Sequence, residues 1–252
     1  MIKKWLASVG IGSAQVDTQL ESDSLIAGEE VLGKVVIQGG SAEQEINKIN
    51  LFVMTQAIRE VNDSKVYQKV KLDSFTVGST FKINKDEKKE VDFRFNLPIH
   101  TPPTLGKTKV WIQTGVDVPN AVDPSDRDYI QVKPHRSMHV ILEALTSELG
   151  FHMRKVDMEY SKRYNYVQEF EFSPGNDFKR DLDELEVMFF LTEDRIELIL
   201  QVDRRAKGLG GLFAEALDMD ENFVKMTFTE QEINEGAESV AIKLRNKIKQ
   251  FS

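Results

Sequence analysis

Cysteine is absent from the chain. Disulfides, thiolate catalysis and zinc–thiolate sites are therefore excluded together. The absence fits a reducing compartment, and the chain is expected to be cytoplasmic. Histidine is scarce, with only His100, His135, His139 and His152, too few for a His-rich metal site. A basic surplus is missing as well: the formal net charge is -8, which opposes phosphate neutralisation and argues against nucleic acid as a partner. No stretch approaches the ~18–20 apolar residues of a membrane span. Near the N-terminus Lys3 and Lys4 precede a short apolar run, but Ser8, Gly10, Gly12 and Ser13 break it. A secretory leader needs a cohesive apolar helix, so a turn leading into a first strand is expected there instead.

What remains has the balance of a globular protein, with 40% hydrophobic and 29% charged residues over 252 positions. That length accommodates two domains of ordinary size and needs no metal or disulfide to hold a core.

Period-two alternation dominates the first half. Val31, Gly33, Val35 and Ile37 share one side of a strand; Val91, Phe93, Phe95 and Leu97 share another. Val110, Ile112, Thr114 and Val116 repeat the rule, and longer strands are expected over 47–62 and 65–83. Half-buried strands at short spacing, without intervening helices, predict an antiparallel β-sandwich. After Pro134 the period changes: Met138, Ile141, Leu142, Leu145 and Leu149 fall on one helical face, and Gly150 suits the position past its end. Strand patterns resume over 151–160, 164–173, 178–191 and 195–203. At the C-terminus Thr229 and Glu232 form a capping box. Behind it runs an apolar stripe through Ile233, Ala237, Val240, Leu244 and Ile248. The expected organisation is an N-terminal sandwich (1–120), a linker (121–134), a C-terminal sandwich (135–228) and an amphipathic helix (229–252).

Chemistry-bearing residues concentrate in "DVPNAVDPSDRDYI" (117–130), which holds Asp117, Asp123, Asp126, Arg127 and Asp128. Calcium wants six to eight oxygens, and these carboxylates with nearby carbonyls could supply them. Their spacing lacks the alternation of a dedicated calcium loop, and Arg127 would claim a carboxylate for itself. Placed at the end of the first sandwich and in the linker, the five are expected to make polar contacts between the two domains. His135 and His139 are four apart, but no glutamate lies between them as in HExxH. "VDRRAKGLGGLFAEAL" (202–217) offers Arg204 and Arg205 before a glycine-rich turn and a short helix. A flexible connection to the short helix is the main expectation there, since no phosphate-loop motif is present; a phosphate or lipid headgroup contact through the two arginines is the lesser one. The basic C-terminal helix could lie on an anionic membrane surface. The competing reading packs its apolar stripe on the second domain with its lysines in water. No catalytic triad or paired-acid constellation assembles, so no enzyme activity and no cofactor are expected.

Five stretches carry a resemblance. "AGEEVLGKVVIQGG" (27–40) and "FNLPIHTPPTLGKTKVWIQTGVDV" (95–118) resemble the strand motifs of arrestin-like sandwiches. "LASVGIGSAQVDTQLE" (6–21), "AVDPSDRDYIQVKPH" (121–135) and "VDRRAKGLGGLFAEALDMDE" (202–221) closely resemble the bacterial sporulation-control protein M family. The resemblance spans residues 5–225, and residues 229–252 match none of its motifs. It implies two tandem arrestin-like β-sandwich domains in a mostly β protein. It further implies a non-catalytic cytoplasmic regulator of sporulation or cell-stage progression, acting as an adaptor for protein partners whose identity it does not give. The alternative is a calcium- or lipid-dependent module at a membrane surface. Exposed strand edges also leave room for a homodimer.

Overall fold

The computed structural model describes residues 13–62, 64–119, 123–204 and 223–251. As expected the chain is mostly β, with fifteen strands among the described residues and helices confined to the second half. It divides into two compact units, residues 1–56, 69–104 and 109–133 in unit 1, and residues 57–68, 105–108 and 134–252 in unit 2.

Unit 1 is built from β1 (Gln15–Leu20), β2 (Ser24–Ile26), β3 (Glu30–Gln38) and β4 (Gln44–Ile46), followed by residues 48–56 of β5 (Lys48–Val61), residues 69–77 of β6 (Ser64–Val77) and β7 (Phe81–Ile83). β8 (Lys88–Asn96), β9 (Val110–Asp117) and β10 (Ser125–Lys133) complete it. β1, β3 and β8 form one antiparallel sheet, while β5, β9, β10 and β2 run side by side in a second. The alternation seen in the sequence decides which faces meet. Val31, Val35, Ile37, Phe93 and Phe95 from the first sheet enclose a core with Leu51, Val53, Val110, Ile112 and Val116 from the second. Phe75 stacks on Phe95 with ring centroids 4.3 Å apart. Burying each such side chain contributes about 1.5–3 kcal/mol, which holds the unit without a covalent staple.

The expected linker is mostly strand. Ser125 to Ile130 pair with Gly115 to Val110 of β9, and Gln131 to Lys133 run parallel to β2. The Asp123-Pro124 turn signal marks a hairpin rather than a domain junction. Beyond it Ile130 and Val132 alternate into the unit 1 core, which commits the segment to the sheet.

Unit 2 contains β11 (His152–Ser161), β12 (Asn165–Ser173), β13 (Leu182–Leu191), β14 (Arg195–Arg204) and β15 (Phe223–Thr229), paired antiparallel in that order. Among the described residues three helices accompany them: α1 (Arg136–Glu143), α2 (Glu230–Asn234) and α3 (Ala237–Gln250). α1 is capped by His135, whose Nδ1 accepts the Ser137 N–H at 3.3 Å, and it widens into a π-helical turn over Ala144–Glu148. Phe170, Phe172, Leu185, Val187, Leu198 and Leu200 present one sheet face to this helical layer. Ile141, Leu145, Val240, Leu244 and Ile248 answer from the helices.

The capping box at Thr229 and Glu232 is present, but it opens only α2. Gly236 follows with φ 94° and starts α3, so the expected single helix over 229–252 is a strand end and two helices. A positive φ there favours glycine, which bends the chain between the two apolar faces.

Candidate functional site

β10 sorts the charged residues of 123–128 by side. Asp126 and Asp128 share the face of Ile130 and Val132, while Arg127 and Tyr129 point to solvent. Asp126 lies opposite Thr114 of β9, and its Oδ2 accepts the Thr18 N–H at 2.8 Å. Thr18 and Thr114 join hydroxyls at 2.6 Å in a buried contact between the two sheets. Asp128 reaches the same region with its Oδ2 shielded from water and without a hydrogen bond. Burial first, then the neighbouring carboxyls of Asp126 and Asp17, pushes its pKa up to about 6. One end of the unit 1 core thus holds two neighbouring acids beside a buried threonine pair.

The remaining expected residues are turned to local work. The Arg127 guanidinium stands 5.4 Å from the Trp111 ring centroid, and its Nε donates to Gln113 Oε1 at 3.4 Å. Asp123 Oδ1 accepts the Val118 N–H at 3.2 Å and closes the turn. Asp117 Oδ2 accepts from Asn47 Nδ2 at 3.4 Å. For all five, Asp117, Asp123, Asp126, Arg127 and Asp128, these partners lie inside unit 1. These contacts lie within one sandwich, because the segment that carries them is a strand of it. Arg127→Ala is accordingly expected to lower stability by under ~1 kcal/mol, as an exposed contact does. Urea denaturation followed by tryptophan fluorescence, with Trp111 beside the change, measures it.

Arg204 closes β14, while Arg205, the glycine turn and the expected 212–217 helix lie outside the described residues. His139 is exposed, and His135 serves as a helix cap. The apolar stripe of the C-terminal helix is buried in unit 2, in line with its packing reading. Among the described residues no helix is long and apolar enough to cross a membrane.

Two features escaped the sequence reading. β6 is fourteen residues long and exposed along most of its length, with Val66 43% and Tyr67 61% exposed. Among the described residues it pairs with β5 alone, which leaves its outer edge open. The second is an acidic sheet face in unit 2, where Glu169, Glu171 and Glu186 converge, as do Glu184, Glu186 and Asp203. Single strands show only alternating glutamates; cross-strand register is what gathers them.

Residues 2–206 match the family model described as SpoOM protein. The chain belongs to the SpoOM protein family. Sporulation-control protein spo0M of Bacillus subtilis (strain 168) is 39% identical to this SpoOM chain over 241 residues, which cover 94% of the chain and 93% of that relative. The crystal structure of Spo0M, sporulation control protein, from Bacillus subtilis matches at a TM-score of 0.85 and 34% identity. That match covers 96% of this chain and 100% of the other, too much to leave the 229–252 segment outside. The C-terminal helices therefore share the SpoOM fold although their sequence carried none of the family motifs.

Proposed function

We propose that the chain is a cytoplasmic, non-catalytic regulator of sporulation that acts as a protein–protein interaction adaptor. Its kinship with a protein named for sporulation control supports the regulatory part. The open edge of β6 carries the adaptor part. A strand edge presents a row of backbone donors and acceptors that an extended peptide can join, with specificity set by alternate side chains. Lys65, Tyr67, Lys69 and Lys71 occupy alternate positions on β6 and are all exposed. Lysines on an edge oppose pairing with a like-charged strand and favour an acidic one. The partner segment is thus an extended, acidic stretch of another protein.

The test combines genetics with crosslinking. A photo-crosslinking residue at Tyr67 is expected to capture one dominant protein in sporulating cells. The triple change Lys65→Glu, Lys69→Glu, Lys71→Glu is expected to abolish that capture and lower spore yield at least tenfold, with the circular dichroism spectrum unchanged. Full complementation of a deletion strain by the triple variant, with no crosslinked partner for the wild type, would overturn the adaptor reading.

A further inference from the structure

The face of the unit 2 sheet opposite its helical layer carries an unusual load of carboxylates. β11 presents Lys155, Asp157 and Glu159 there, with Lys155 opposite Glu171 of β12 and Asp157 opposite Glu169. Glu171 in turn lies opposite Glu186 of β13. A register shift in the β13–β14 pair sets Glu184 opposite Asp203. Like charges directly across a sheet oppose its formation. Among the described residues Lys155 is the cation in contact with them, held by Glu171 and by Glu159 at 3.3 Å.

The carboxylate oxygens draw together despite this repulsion. One oxygen each from Glu169, Glu171 and Glu186 lies within 4.8 Å of the others, and the same holds for Glu184, Glu186 and Asp203. A second observation stands apart from the cluster itself. Asp157 is only 2% exposed and its Oδ2 has no hydrogen-bond partner. The nearest ammonium, Lys155 Nζ, is 3.8 Å away and already engaged by two glutamates. A desolvated carboxylate oxygen without a donor is costly unless positive charge is brought to it. Its register with Glu169 turns it toward the acidic face.

We propose that this face is a divalent-cation site for calcium, with Glu169, Glu171 and Glu186 as one ligand set, Glu184 and Asp203 as a second, and Glu186 shared between them. An all-oxygen, all-carboxylate set selects a hard cation. Calcium accepts oxygens at about 2.3–2.6 Å in irregular geometry, which suits carboxylates gathered by strand register with no imposed symmetry. Magnesium demands a regular octahedron at about 2.0–2.1 Å and suits them less. The ion neutralises the cross-strand repulsion and adds to the positive charge that Lys155 alone brings to Asp157.

Isothermal calorimetry of the chelator-stripped full chain with calcium chloride decides the matter. The expected result is saturable binding tighter than millimolar and a melting temperature raised by several degrees. Glu186→Gln is expected to weaken calcium at least tenfold while remaining folded by circular dichroism. Glu197→Gln, on β14 but paired with Lys225 outside both ligand sets, keeps wild-type affinity. No heat and no melting shift at millimolar calcium would overturn the site. Undiminished binding by Glu186→Gln would do the same, and equal affinity for magnesium would overturn the calcium assignment.

Discussion

Leu244→Ala is expected to lower the stability of the protein by about 2–5 kcal/mol, the range for emptying a fully buried leucine site. Leu244 is 0% exposed, in the middle of an α3 stripe whose other members, Val240 and Ile248, are 1% and 0% exposed. The spacing of four puts all three on one helical face, and they meet Ile141 and Leu145 in the unit 2 core. At about 2–4 °C per kcal/mol for units of 150–250 residues, the melting temperature falls by roughly 5–15 °C. Ile242, on the opposite side and 56% exposed, provides the contrast. Ile242→Ala is expected to stay within about 0.5 kcal/mol. Differential scanning calorimetry of the two variants measures both. The outcome bears on function. A helix that lies on a membrane needs a free apolar face, and that of α3 is consumed by the core. Its cations are occupied too, with Lys243 paired to Glu232 and Lys247 sitting 5.3 Å from the Phe251 ring centroid. A loss below about 1 kcal/mol for Leu244→Ala would mean that the helix is only loosely attached and would return the membrane reading to consideration.

Much of this was legible in the residues because burial imposes a period on a strand or helix. Val31, Val35 and Ile37, or Phe93 and Phe95, announce a face by alternation alone, and both sets occupy the unit 1 core. Met138, Ile141, Leu142 and Leu145 announce a helix in the same way. β10 failed that reading for a physical reason. Its inward-facing positions begin with the half-buried Asp126 and Asp128, so the apolar half of the alternation becomes visible only at Ile130 and Val132. Carboxylates beside Asp123-Pro124 look like a turn, and the Thr18 N–H that makes an inward Asp126 tolerable lies 108 residues away. The acidic face of unit 2 was hidden by a similar distance. Glu169 and Glu171 alternate correctly along β12, as Glu184 and Glu186 do along β13. Only the pairing of Glu171 with Glu186, fixed by the connection between two strands, places them together. Local pattern yields faces; the chemistry of a site depends on register.

Stability is expected to fall as pH rises from about 5 to about 8, contrary to the usual behaviour of an acidic protein with well-paired carboxylates. Asp128 moves from 3.8 to about 6, and Glu186 from 4.5 to about 7. Between the unfolded and folded values the native state holds protons that the unfolded chain has released. The slope of unfolding free energy with pH is therefore negative in that window. The stabilisation is complete below about pH 4 and is lost as pH passes through 6 and 7. Asp128 meets Asp126 from its own strand and Asp17 from β1. Glu186 meets Glu184 from its own strand, Glu169 and Glu171 from β12 and Asp203 from β14, while Lys155 on β11 is held by Glu171 and Glu159. A fully buried carboxyl would contribute about 1.4 kcal/mol per pKa unit. Both of these are half-buried, and solvent screening reduces their combined effect to about 1–2 kcal/mol. The acid side bends the other way. Hydrogen bonds from Lys88 and Lys34 hold Glu90 down at about 2, and Lys225 and Lys243 lower Glu197 and Glu232. Stability supplied by these pairs disappears as pH falls below the ordinary carboxylate range, which places the maximum near pH 5. Calorimetry between pH 4 and 8, with chelator present to keep the acidic face free of metal, is expected to give that maximum. Glu186→Gln should flatten the decline between pH 6 and 8, because an amide has no proton to lose. A melting temperature that stays level or climbs from pH 5 to 8 would mean that the two carboxyls ionise as freely in the fold as in the open chain. The acidic face would then lack the stored repulsion that a bound cation would relieve.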